Sequence, residues 1–169
     1  MRAWVLALAL VCGAAQSAVP EIPRFRMLGP ADGLPNTTIT ALARDREGYV
    51  WIANWDGLAR YDGVGFRTWR HDPDDASSLP GNIVQALHID AQDRIWVTTE
   101  NGGLSMLDTQ RKGFRHYRKA THAQMLSDDV LAITSRDGVL WFGSFGGGLN
   151  SLAEDGTLHH FASSETDLA

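Results

Sequence analysis

Three tryptophans, Trp51, Trp96 and Trp141, stand forty-five residues apart. That interval constrains the fold more than any other feature of the chain. Around the anchors, "REGYVWIANWDGLARYD" aligns with "AQDRIWVTTENGGLSMLD" and "RDGVLWFGSFGGGLNSL". Upstream, "LPNTTITALARD" matches "LPGNIVQALHID" and "LSDDVLAITSR"; downstream, "FRTW" matches "FRHY" and "LHHF". Self-similarity at a fixed period of this size marks a repeat architecture, in which each unit buries its apolar face against a neighbour.

Each repeat reads as four short strands. The first, beginning at Ile39 in repeat one, ends at a polar turn (Asp45–Gly48, Asp90–Asp93 or Arg136–Gly138). The second is an apolar run, "YVWIA", "RIWVT" or "VLWFG", which must be covered on both faces. A glycine turn follows, with Leu58, Leu104 or Leu149 opening the third strand. The fourth carries Phe-x-x-aromatic. Four antiparallel strands in about 45 residues describe a β-propeller blade. The expected fold is all-β: three four-stranded blades of an incomplete propeller of about seven blades. Trp51, Trp96 and Trp141, with Leu58, Leu104 and Leu149, are the expected core.

The expected boundaries are blade 1 over 34–78, blade 2 over 79–125 and blade 3 over 126–165. The segment 25–33, with "FRML" like "FRTW", reads as a strand completing the last blade, and 166–169 as the start of a missing fourth blade. A chain ending there would expose apolar sheet faces, so self-association, a homodimer among other forms, is expected of it alone.

Residues 1–18 have one arginine, an apolar run from Trp4 to Val11 and then small residues. This is the layout of a secretory signal peptide, too short to span a bilayer. Cys12 is the only cysteine, so the exported chain has no thiol for a disulfide, a nucleophile or a metal site. Loss of Arg2 leaves 14 basic residues against 20 acidic, a net charge of about −6. An acidic, exported chain is a poor partner for nucleic acid, and the basic stretch 111–119 reads as a solvated outer strand.

The repeats resemble two-component regulator propeller repeats. Their pattern of leucine, V-x-x-I strand, D-x-x-G turn, W-I-G-T and G-G-L is met by "SLPGNIVQALHIDAQDRIWVTTENGGL" and "LSDDVLAITSRDGVLWFGSFGGGL". The linker "RHDPDDASSLPGN" fits the same pattern; "IANWDG" in repeat one departs from it. The resemblance implies a periplasmic sensor propeller of a parent anchored in the inner membrane. Its output module, a histidine kinase or a diguanylate cyclase, would lie beyond residue 169. On this reading the chain itself is not an enzyme and needs no cofactor.

Turns between the second and third strands share one face with the blade connections and rim the channel mouth, where binding residues concentrate. Asn54-Trp55-Asp56, Thr99-Glu100-Asn101 and Ser144-Phe145-Gly146 differ from repeat to repeat, as readers of an asymmetric ligand should. Trp55 and Phe145 suit stacking on a sugar ring, and Asn54, Asp56, Glu100 and Asn101 suit hydroxyls. Asn36, Asn82 and Asp128 open the innermost strands beside them. The expected ligand is a small molecule or an oligosaccharide.

Asp72, Asp74 and Asp75 lack the glycine-turned spacing of a calcium loop and read as a solvated linker. His159 and His160 are adjacent and point to opposite faces of a strand, so they share no metal. Two other readings remain open: a streptogramin-lyase-like propeller, with His88 the only inner-strand histidine, and an exported propeller that serves protein assembly.

Overall fold

A computed structural model describes residues 25–161. Twelve strands form three separate four-stranded antiparallel sheets, each in simple sequence order from inner to outer edge. Blade 1 holds β1 (Ile39–Arg44), β2 (Val50–Asn54), β3 (Gly57–Tyr61) and β4 (Phe66–Trp69). Blade 2 holds β5 (Val84–Ile89), β6 (Ile95–Thr99), β7 (Gly103–Leu107) and β8 (Phe114–Tyr117). Blade 3 holds β9 (Val130–Arg136), β10 (Val139–Ser144), β11 (Gly148–Leu152) and β12 (Leu158–Phe161).

Alternation along the second strands fixes how the blades face one another. Trp51 packs with Leu79, Val84, Ile95, Val97 and Phe114 in the cleft between blades 1 and 2. Trp96 packs with Met125, Val130, Leu140 and Phe142 between blades 2 and 3. Ile52, one residue along, turns to the other face of blade 1 and meets Leu34. Trp51 stacks on Trp69 of its own fourth strand at 5.1 Å and Trp141 on Phe161 at 5.3 Å between centroids, while Trp96 meets Tyr117 tilted at 5.8 Å.

Four of the six expected core residues, Trp51, Trp96, Leu58 and Leu104, are buried. The other two are corrections. Leu149 is 45% exposed and Trp141 only half-buried, because their face of blade 3 meets no further sheet among the described residues.

Two more expectations change. Met125, not Leu126, holds the place of Leu79: it is fully buried, while Leu126 is 50% exposed. Blade 3 therefore begins one residue earlier than the 125/126 boundary. The first hairpin is one residue shorter than in blades 1 and 2. This sets the equivalent of Leu79 16 residues before Trp141 instead of 17, whereas a start at 126 would shift it by two. Asp137 and Gly138 both take left-handed φ (51° and 81°) in a two-residue turn, so the residues before it slip by one while the tryptophan interval is kept. The segment 25–33, expected as a strand completing the last blade, has no ladder partner among the described residues, which include no such blade. Phe25 and Met27 are more than nine-tenths exposed, and Pro30–Asp32 form a 3-10 helix that leads Leu34 onto blade 1. The expected signal peptide (1–18) and the start of a fourth blade (166–169) lie outside the described residues.

Each inner strand carries a β-bulge at the same place: at Thr40 in β1, Gln85 in β5 and Leu131 in β9. A bulge re-aims the strand and increases its twist, here at the edge nearest the propeller axis.

Candidate functional rim

The rim turns are built by a backbone device that repeats from blade to blade. The N–H of Trp55 donates to Thr38 O, that of Glu100 to Ile83 O and that of Phe145 to Asp129 O, at 3.3, 3.0 and 2.8 Å. These three residues therefore occupy equivalent positions, each at a turn tip beside its own inner strand. Their side chains differ. Trp55 is 55% exposed, Phe145 is 73% exposed, and Glu100 between them is exposed. Of the residues singled out in the sequence, these three form one coherent row facing solvent.

The remaining candidates are held by the fold. Asn54 is fully buried; its Oδ1 accepts the Asp56 N–H at 2.8 Å and shapes the turn. Asp56 is paired with Arg70 at 2.9 Å. Asn101 is exposed and takes a left-handed φ of 52°, closing the turn of blade 2. Asn36 Oδ1 accepts the Thr38 N–H at 2.7 Å.

Asn82 and Asp128 are stitches between blades. The Gly57 N–H donates to Asn82 O at 2.7 Å, and the Gly103 N–H to Asp128 O at 2.8 Å. Their side chains close the connectors that precede them, Asn82 accepting the His71 N–H at 2.8 Å and Asp128 the Lys119 N–H at 2.6 Å. A main-chain role of this kind leaves no trace in residue type, which is why polarity alone marked them for a ligand.

Phe145 also stands over an open apolar hollow of 470 Å³ on the uncovered side of blade 3, lined with Leu131, Ala132 and Leu149. Nearer the axis, His88 shares a 2.8 Å hydrogen bond with Ser135 of blade 3. Burial holds its pKa below the ordinary histidine value, against the pull of Asp90. No group of three or more metal-ligating side chains occurs among the described residues.

Sequence reasoning missed the clamp beneath the tryptophans. Asp45 Oδ2 accepts the Trp51 Nε1–H and Asp90 Oδ2 the Trp96 Nε1–H, both at 2.8 Å. Burial alone would raise the Asp90 carboxyl, but hydrogen bonds from Trp96 and Arg94 outweigh it and hold the pKa below its usual value. The signal was present as an aspartate six residues before each of the first two tryptophans. In the third repeat, where the hairpin is one residue shorter, the equivalent position by strand pairing is Arg136, five residues before Trp141.

The two-component regulator propeller model matches residues 33–56 and 78–101, in the first two blades. The extracellular domain of a hybrid two-component system of B. thetaiotaomicron superposes with a TM-score of 0.55 at 23% identity, covering 82% of this chain and 26% of its own. A second such domain from the same organism gives 0.57 at 20% identity, covering 75% of this chain and 18% of its own. These likenesses establish the propeller fold. Histidine kinase P4 of Formosa agariphila is 33% identical over 55 residues, 32% of this chain and 4% of that protein. The chain thus spans only a small part of the proteins it resembles.

Proposed function

We propose that these blades belong to the exported sensory propeller of a two-component signalling receptor and that the rim row Trp55, Glu100 and Phe145 reads its ligand. One observation carries the reading: three positions set by the same backbone hydrogen bond hold three different, solvent-facing side chains. Positions that serve packing repeat their chemistry along this chain, as Leu58 and Leu104 do; positions that touch an asymmetric ligand have no reason to. Two exposed aromatic faces beside a carboxylate suit an oligosaccharide, with ring stacking and hydroxyl acceptance. The family's repeats and the two-component relatives support a periplasmic location and an output module, kinase or cyclase, in a longer parent. The described residues contain no helix long and apolar enough to cross a membrane.

The test is a thermal-shift screen of oligosaccharides against the chain and its Trp55→Ala and Phe145→Ala variants. A sugar that raises Tm in the parent and not in either variant supports the rim. A sugar that stabilises all three equally places recognition elsewhere, and a partner protein recovered through the rim without any sugar would favour the assembly reading.

A further inference from the structure

The two clefts between blades are built from the same parts, yet one is filled and the other is open. In the first, Trp51, Arg60, Arg67 and Trp69 are neighbours on blade 1. The outer turn of blade 2 reaches across and lays Arg111 among them. Its guanidinium lies 5.2 Å from the Trp51 ring, its carbonyl accepts Arg67 and Trp69 Nε1 at 3.0 and 3.2 Å, and its charge meets Asp93 at 3.5 Å. Arg111 adopts a left-handed φ of 59° to do so.

In the second cleft the same register positions hold Trp96, Met106, Arg115 and Tyr117. The outer turn of blade 3, residues 153–157, has five residues where blade 2 has six, and inserts no arginine. What remains is a cavity of 250 Å³ lined by these four residues with Arg94, Glu154 and Asp155.

Three features of this cavity are unanswered. Arg115, the counterpart of Arg67, has no inserted carbonyl to donate to, and it makes no ion pair among the described residues. Trp51 carries two guanidinium groups, those of Arg60 and Arg111, whereas Trp96 carries one, that of Arg94 at 5.4 Å. Arg94 is already paired with Asp90 at 2.5 Å. Glu154 Oε1 accepts the Gln92 amide at 3.0 Å and Asp155 Oδ1 the Thr157 N–H at 2.8 Å, both neutral donors. Two uncompensated carboxylates therefore face the one unpaired cation, Arg115, among the described residues. The cavity lacks one acceptor at Arg115 and one flat cation over Trp96.

We infer that this cleft binds a free basic amino acid of the arginine class. Its carboxylate pairs with Arg115, and its cationic end lies over Trp96 against Glu154, as Arg111 lies over Trp51 against Asp93. Guanidinium stacking on indole and a charge-assisted carboxylate pair supply the affinity. The cavity shares no residue with the rim turns, so it is a second site distinct from the rim.

Isothermal titration of the full chain with L-arginine, agmatine and L-citrulline tests the inference. Agmatine lacks the carboxylate and citrulline lacks the charge. L-Arginine is expected to bind saturably and about tenfold or more tighter than either, the effect of one lost charged hydrogen bond. Arg115→Gln should abolish the preference over agmatine, and Glu154→Gln the preference over citrulline; both side chains reach solvent, and circular dichroism checks that the variants fold. No saturable heat with L-arginine would overturn the inference. Equal affinity for all three compounds, or binding unchanged in both variants, would overturn it too.

Discussion

Replacing Asp90 by Asn keeps the shape of the side chain and turns one of its acceptor ends into a donor. Four hydrogen bonds converge on that carboxylate. Oδ1 accepts the backbone N–H groups of Gln92 and Arg94 at 3.0 and 2.9 Å. Oδ2 accepts Trp96 Nε1–H and Arg94 Nε–H at 2.8 and 2.5 Å. Whichever way the amide is flipped, its NH₂ faces two donors. Asp45 is held by two bonds, from the Tyr49 N–H to Oδ1 and from Trp51 Nε1–H to Oδ2, so Asn there meets one donor in either orientation. A buried donor left unsatisfied costs about 1–3 kcal/mol. Asp90→Asn should therefore cost about 4 kcal/mol and Asp45→Asn about 2, against a stability of about 5–15 for a domain of this kind. In urea, with a slope of about 2 kcal/mol/M, the midpoints should fall by about 2 M and about 1 M. Tryptophan fluorescence reads the transition directly, since the clamped indoles are the reporters. Equal losses, or the larger loss at Asp45, would refute the donor count as the source of the energy.

Gly103 sits at φ 74°, and a methyl there would run into the Tyr117 carbonyl oxygen, whereas Gly63 at φ 96° has open space around it. Gly103→Ala should cost more than about 2 kcal/mol and Gly63→Ala about 1, the left-handed penalty alone, by the same urea assay. His88 has a folded pKa below its unfolded value, so the unfolded chain takes up the proton first as pH falls. Its contribution is present when neutral and is lost through and below about pH 6.5; His88→Gln should flatten stability between about pH 7 and 5 in pH-dependent melts. Trp55 packs little, so Trp55→Ala should shift stability by less than about 0.5 kcal/mol while removing most of the fluorescence accessible to an aqueous quencher.

Blade architecture was legible because it rests on local signals that recur: an apolar second strand, a glycine turn, an outer edge that ends in an aromatic residue. Three occurrences in register averaged out the errors that any single stretch invites. What the sequence hid depends on through-space partners. The slip at Met125 follows from a turn shortened by one residue, which moves everything upstream while leaving the tryptophan interval intact. The exposure of Leu149 reflects the sheet that does or does not lie beside it, not the leucine. At the rim, Asn82 and Asp128 read as ligand contacts because they are polar and open the innermost strands, and Asn54 because its turn varies between repeats. The structure uses those groups, or the backbone behind them, to tie the turns and connectors. Trp55, Glu100 and Phe145 come from the same varying turns as Asn54; what sets them apart is the shared backbone hydrogen bond that holds them toward solvent, which residue type does not announce.

The stitches from Gly57 to Asn82 and from Gly103 to Asp128 run in one direction only. The turn that displays Trp55 is fastened by residues made about 25 positions later, and the turn beside Glu100 by residues of the third repeat. During synthesis, which proceeds N-terminus first, a blade can pair its strands as soon as it emerges but must wait for its successor before its rim is set. The same dependence reaches genetics. A change that moves the backbone in the opening residues of one repeat, such as a deletion or a proline beside Asn82 or Asp128, should disturb the display surface of the repeat before it, one blade upstream of the codon that causes it.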